Sequence, residues 1–155
     1  MILVQNTAFE AGDELTKFCE RNSTSGAITS FIGQVRNFLK DGQEAARPVN
    51  SLILEHYAGM TEKELEAIEK QALERWPIDD ILIIHRYGEL GPGDPIVFVA
   101  TAADHRTDAF ESCQFLMDWL KIKAPFWKKE ITDAGTEWVY ARDKDNRLAK
   151  RWEGS

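Results

Sequence analysis

Six cationic side chains carry the chemistry this sequence can offer: Arg36, His105, Arg106, Lys121, Lys128 and Arg142. Four of them fall in one stretch, Asp104 to Glu130, which reads DHRTDAFESCQFLMDWLKIKAPFWKKE. The chain has a formal net charge of -7, so a basic island within it is a place to look for an anionic ligand. Arginine grips phosphate or planar anions through a two-pronged fork, and histidine shares protons near neutral pH. Lysine neutralises developing negative charge, or acts as acid, base or amine nucleophile when desolvation lowers its pKa. Together these side chains point to a small anionic, phosphorylated substrate. The plainer reading stays beside it: lysines near a helix C-terminus suit the helix dipole and face water, and Arg36 is then a solvent-facing residue. Lys123 and Lys129 take that plainer reading.

The remaining composition narrows the field. No phosphate-binding loop, Gly-rich dinucleotide fingerprint or zinc-ligand spacing is present, so no cofactor and no metal are expected. Cys19 and Cys113 lie beside apolar residues in helical patterns and read as small buried hydrophobes. The acidic balance argues against general nucleic-acid binding. No apolar run approaches a membrane span, and MILVQNTAFEAG does not resemble a signal peptide, which makes the cytoplasm the expected compartment.

Those side chains need a scaffold, and 155 residues suffice for a single domain, 1–155, with one sizeable core. Ile2 to Phe9 reads as an edge strand and Asp13 to Cys19 as a short amphipathic helix. GAITSFIGQVRN from Gly26 alternates as a strand, with Gly33 marking a bulge or close backbone approach and Arg36 emerging at its end. Residues 38–50, rich in Gly, Pro and charge, are expected to form a mobile exposed loop. Ser51 to Tyr57 is a strand in which His56 is half-buried and hydrogen-bonded. Thr61 and Glu64 suggest a capping box for a helix whose Leu65, Ile68, Ala72 and Trp76 share one face. DILIIHRY and PIVFVATA read as an antiparallel pair joined by GELGPGD, with His85 and Arg86 making polar contacts at the sheet margin. A helix capped by Thr107 follows, with Ala109, Cys113, Leu116 and Leu120 on its buried line and Phe110 and Met117 widening it. Lys121 falls at the border of that face, and Pro125 ends the helix. Phe126 and Trp127 then hold the next segment and with it Lys128. After a turn at Asp133 to Gly135, EWVYA reads as a strand, and the tail 143–155 as either partly helical or flexible. The fold class is α+β, a mixed or antiparallel sheet packed with helices.

Five runs carry a resemblance to a known family: GQVRN at 33–37, LEHYAGM at 54–60, HRYGELGPGD at 85–94, HRTDAF at 105–110 and MDWLKIKAPFWKKE at 117–130. From Gly26 to Arg142 the chain resembles the large, catalytic subunit family of molybdopterin synthase. It departs from that family most at 38–50 and in the segment before Gly26. The resemblance implies the family's single-domain α+β fold and a homodimer at the centre of a heterotetramer. It further implies a small ubiquitin-like sulfur-carrier subunit that inserts its C-terminal Gly-Gly thiocarboxylate into the active site. The substrate implied is cyclic pyranopterin monophosphate, which receives two sulfurs to become the dithiolene of molybdopterin. Lys121 and Lys128 match the family's essential lysines, and Arg36, His105, Arg106 and Arg142 match its substrate-pocket residues. A non-catalytic adaptor that receives the tail of a ubiquitin-like protein is the rival reading.

Overall fold

A computed structural model of the chain describes residues 1–39, 47–139 and 143–154. In chain order its elements are β1 (Ile2–Gln5), α1 (Ala11–Arg21), β2 (Ala27–Gln34), β3 (Phe38–Leu39), β4 (Arg47–Pro48), β5 (Ser51–His56) and α2 (Met60–Arg75). Then come β6 (Ile78–Arg86), β7 (Gly88–Leu90), β8 (Pro95–Ala103), α3 (Arg106–Lys123), β9 (Phe126–Thr132), β10 (Gly135–Val139) and α4 (Asp143–Lys150). The α+β expectation holds, with two four-stranded sheets rather than one.

The first sheet has the order β1-β6-β8-β2, with β1 parallel to β6 and the other pairs antiparallel. β6 explains why the run from Ile81 to Ile84 is apolar without alternation. Ile81 and Ile83 pack toward α2 and α3, while Leu82 and Ile84 pack with Phe18 of α1 on the opposite face. A strand covered on both faces has no polar side to alternate with. At Gly33 the β2–β8 register shifts, and a side chain there would strike Val97, so bulge and close approach coincide as expected.

The second sheet, β10-β9-β5-β7, is antiparallel. Its β7 lies inside GELGPGD: the connection between β6 and β8 is not a bare hairpin loop but lends three residues to the other sheet. APFWKKE is likewise more than a tethered segment, since β9 runs through it at the centre of this sheet. Leu52, Leu54 and Leu90 pack with Val35 and Val49 to give it a core of its own. The ends of the expected 38–50 loop pair through Phe38↔Pro48 and Leu39↔Arg47, and 40–46 lies outside the described residues.

Both expected helix caps shift. α2 is capped by Gly59, whose φ of 84° suits glycine and whose N–H donates to Glu62 Oε2 at 2.7 Å. Thr61 instead donates its hydroxyl back to Tyr57 O at 3.0 Å, while Glu62 rather than Glu64 closes the cap. α3 is capped by the backbone of His105, not by Thr107. Its buried line is as expected, except that Phe110 is 63% exposed. Cys113 is buried, whereas Cys19 is exposed because it falls on the outer face of α1.

The tail takes its helical alternative. Buried Asp118 of α3 accepts hydrogen bonds from Arg151 Nη2 and Trp152 Nε1, both at 2.7 Å, just beyond α4. Trp152 completes an aromatic cluster with Trp76 and Phe115. Among the described residues no helix is long and apolar enough to cross a membrane, and no group of three or more His, Cys, Asp or Glu could hold a metal ion.

Candidate active site

Where the two sheets meet α3 and α4, a cleft of about 560 Å³ opens. Three of the six cations line it: Arg36, Lys121 and Lys128. Each comes from a different element, so their meeting is a product of the fold.

Lys128 is placed by strand alternation. On β9, Phe126, Lys128 and Glu130 face the cleft, two residues apart. Trp127 and Lys129 take the other face, where Trp127 meets Tyr57 edge-on and Lys129 Nζ lies 4.5 Å from the Trp138 ring centroid. Pairing on both sides, with Leu54 of β5 and Val139 of β10, fixes the Lys128 backbone. Lys121 sits in the last turn of α3, beyond Met117 and Leu120, which are buried against the cleft. Lys123, two residues further on and so on another side of the helix, has its Nζ 4.4 Å from the Trp119 ring centroid. Arg36 follows β2 and is exposed; Val35 before it is locked to the β7–β8 turn by Val35 N–H to Asp94 O and Gly93 N–H to Val35 O.

Burial pushes the Lys128 ammonium down from 10.5 to about 8, and the charge of Lys121 pushes the same way. Asp145 of α4 and Glu130 oppose the shift, while Arg36 adds to it. A lysine so placed is still mostly charged at neutral pH yet gives up its proton within one pH unit of it. That combination suits both stabilising an oxyanion and moving a proton.

Two of the remaining cations, His105 and Arg106, are not in this cleft as one chain forms it. His105 and Arg106 are exposed at the N-terminal end of α3, the opposite end of an 18-residue helix from Lys121. At 1.5 Å per residue that helix is about 27 Å long. Arg142 lies outside the described residues.

Reading the residues alone missed three further titratable groups among the described residues of the cleft: His85, Glu130 and Asp145. His85 and Arg86 are not marginal, being 4% and 8% exposed. The signal for His85 was available in the parity of β6, because it continues the Ile81, Ile83 face. Glu130 follows from the same two-residue period as Lys128, once β9 is seen to be a strand. Nothing in sequence spacing announces Asp145, which reaches the cleft only because Asp118 and its partners draw the tail onto α3.

Comparison with known proteins bears directly on this arrangement. The MoaE protein family matches residues 4–123, which brings in the N-terminal segment that the motifs alone left out. The molybdopterin synthase catalytic subunit of Pseudomonas aeruginosa is 49% identical over 152 residues, covering 98% of each chain. Among solved structures, the molybdopterin biosynthesis MoaE protein from Burkholderia ambifaria MC40-6 superimposes with a TM-score of 0.80 at 46% identity, covering 100% of this chain and 99% of that one. The fold recurs, at 19% identity and a TM-score of 0.72, in the protein-protein complex of subunits 1 and 2 of molybdopterin-converting factor from Helicobacter pylori 26695, covering 92% and 91% of the two chains. Shared motifs, near-complete coverage and a common fold agree: this chain belongs to the MoaE family, that of the catalytic subunit of molybdopterin synthase.

Proposed function

We propose that this chain transfers sulfur from the C-terminal thiocarboxylate of a small ubiquitin-like subunit to cyclic pyranopterin monophosphate, forming the dithiolene of molybdopterin. The observation that carries this reading is the Lys121–Lys128 pair at one cleft, with Lys128 held near a pKa of 8. A thiocarboxylate is an anion, and an extended Gly-Gly tail is slim enough to enter a cleft of this size. Once the thiocarboxylate sulfur is bonded to the pterin, water attacks the carbonyl of the resulting thioester, negative charge collects on oxygen, and the C–S bond breaks to leave sulfur on the pterin and a carboxylate on the carrier. A desolvated ammonium aimed at that oxygen lowers the barrier, and the same group exchanges protons near neutral pH. Lys128, fixed at the centre of a sheet, is assigned to this charge, and Lys121 on its helix end to the transferring sulfur and its proton.

Substrate phosphate and pterin are assigned to Arg36, His105, Arg106 and Arg142. Because His105 and Arg106 lie at the far end of α3, they serve this cleft only if a second protomer brings them there, which accords with a homodimer at the centre of a heterotetramer. The small-subunit partner is supported by family membership and by the two-subunit composition of the Helicobacter complex. The cytoplasm is the compartment in which such a carrier and substrate would meet the chain.

Reconstitution tests the proposal: the chain is mixed with a thiocarboxylated small subunit and cyclic pyranopterin monophosphate, and dithiolene is measured. Turnover that depends on all three components is expected. Tight binding of the small subunit without dithiolene would replace this reading with the adaptor, and turnover of a phosphorylated substrate without any protein partner would replace it with a different enzyme class.

A further inference from the structure

His85 enters the cleft with one nitrogen already committed. Its Nδ1 lies 2.9 Å from Arg86 O, and a carbonyl oxygen can only accept, so Nδ1 carries the proton. In the neutral ring the lone pair is therefore on Nε2. That nitrogen meets no hydrogen-bond partner among the described residues and is not one of the side-chain atoms sealed from solvent. Since the residue is 4% exposed and lines the cleft, its opening is toward the cleft. The ring cannot turn away, because it is stacked on Phe126 with centroids 3.6 Å apart and planes 13° from parallel.

The cleft's other polar groups set off what this one offers. Arg36, Lys121 and Lys128 are donors only. Glu130 and Asp145 are carboxylates whose charge is engaged with Lys128. Gln34 also lines the cleft but is exposed, so among the described residues His85 is the uncharged acceptor that is both buried and held in one direction, and an anionic substrate with a nitrogen-rich ring presents N–H donors that such an acceptor would read. Carboxylates do not read the ring alone, because they also draw in cations and repel the phosphate.

We infer that His85 is a substrate-binding residue whose Nε2 accepts a hydrogen bond from a ring N–H of the pterin, orienting the heterocycle against Lys121 and Lys128. The inference rests on the function proposed above and adds to it the group that recognises the ring rather than the phosphate. Burial and the neighbouring charges of Lys128, His56 and Lys121 hold the imidazole pKa down at about 3, against one opposing contribution from Arg86 O, so the acceptor stays neutral throughout the working range.

The test compares wild type with His85→Phe, His85→Gln and His85→Asn, each in complex with the thiocarboxylated small subunit. The readouts are kcat and KM for cyclic pyranopterin monophosphate and the melting temperature. Glutamine places an amide oxygen near the position of Nε2, whereas asparagine reaches only the position of Nδ1. His85→Phe is expected to raise KM about five- to tenfold with kcat nearly unchanged, as loss of one uniform hydrogen bond does. His85→Gln should recover most of that loss and His85→Asn little of it, whatever their melting temperatures. Equal KM values for the Gln and Asn variants overturn the inference, and so does a Phe variant whose KM matches wild type. Should the Phe variant fail to fold, the Gln–Asn comparison decides alone. A wild-type complex that makes no dithiolene overturns the proposed function along with this contact, whereas normal wild-type turnover with an unaltered KM in the variants overturns the contact only.

Discussion

His85 lies face to face on Phe126, with ring centroids 3.6 Å apart, and so joins the end of β6 in one sheet to the start of β9 in the other. Two residues along β9 from that stack, on the same face, stands Lys128, whose pKa is lowered first by burial; the pair is expected to serve both as a joint between sheets and as part of the wall that keeps water from the lysine. Phe126→Ala removes both. The expected stability loss is about 2–3 kcal/mol, at the lower end for a large-to-small aromatic change because Phe126 is only partly buried. With water admitted, the Lys128 pKa should climb from about 8 back toward 10.5. NMR titration of the lysine ε-carbon follows this directly, and a Lys128 pKa unmoved in Phe126→Ala would show that the wall has no such effect.

Lys128 should weaken the fold that holds it. Its folded pKa lies below the unfolded value, so between about 8 and 10.5 the unfolded chain binds more protons. The cost of the buried charge is thus fully present below pH 8 and fades as pH rises toward 10.5. Lys128→Met is predicted to be more stable than wild type at pH 7, by on the order of 1–3 kcal/mol after allowing for partial exposure. Denaturant titrations at pH 7 and pH 10.5 should show the difference shrinking. A variant that is less stable at pH 7 would argue that the ammonium is well compensated by Glu130 and Asp145.

The legibility of this site in the sequence follows from what local spacing can and cannot encode. Helical periodicity from Ala109 to Leu120 fixes the angular position of Lys121 without any knowledge of the fold. The anchor of Lys128 is harder to read: Pro125 and the adjacent Lys128-Lys129 pair obscure a two-residue period that only β5 and β10 on either side make evident. His85 was assigned to a sheet margin because the last residues of a strand are commonly solvated. The second sheet covers this strand end, and that is a nonlocal fact. Caps were misplaced for a related reason. Gly59 and His105 act through backbone geometry, which side-chain chemistry at Thr61 and Thr107 cannot reveal.

Acid should expose His85. Its pKa falls from 6.5 unfolded to about 3 folded, so within that window unfolding takes up a proton and stability drops as pH falls. One proton corresponds to a slope of about 1.4 kcal/mol per pH unit. The stability this neutral ring contributes is therefore complete above pH 6.5 and lost progressively on the way to pH 3. His85→Phe should flatten the wild-type slope between pH 6 and pH 4 by about that amount. Parallel stability curves for the two proteins would mean that another group takes up the proton.

Asp118 should govern the tail. Its carboxylate receives Gln114 Nε2 as well as Arg151 and Trp152, and it is 5% exposed. Asp118→Asn keeps the shape but loses the charge and places an NH2 group where acceptors are needed. A cost of about 1–3 kcal/mol is expected. Because α4 carries Asp145 into the cleft, trypsin should cut at Arg147, Lys150 and Arg151 faster in the variant than in wild type. Unchanged cleavage would mean that the aromatic cluster alone holds the tail.

The lysine pair is the centre of the account, and a single-turnover experiment reaches it most directly. Complexes of thiocarboxylated small subunit with wild type, Lys121→Ala or Lys128→Ala are mixed with cyclic pyranopterin monophosphate, and mass spectrometry follows loss of the thiocarboxylate and gain of sulfur by the pterin. The account predicts that both variants still bind the small subunit while the rate of transfer falls about 10²- to 10³-fold, as for removal of a group that stabilises transition-state charge. Wild-type transfer rates in Lys128→Ala would contradict it.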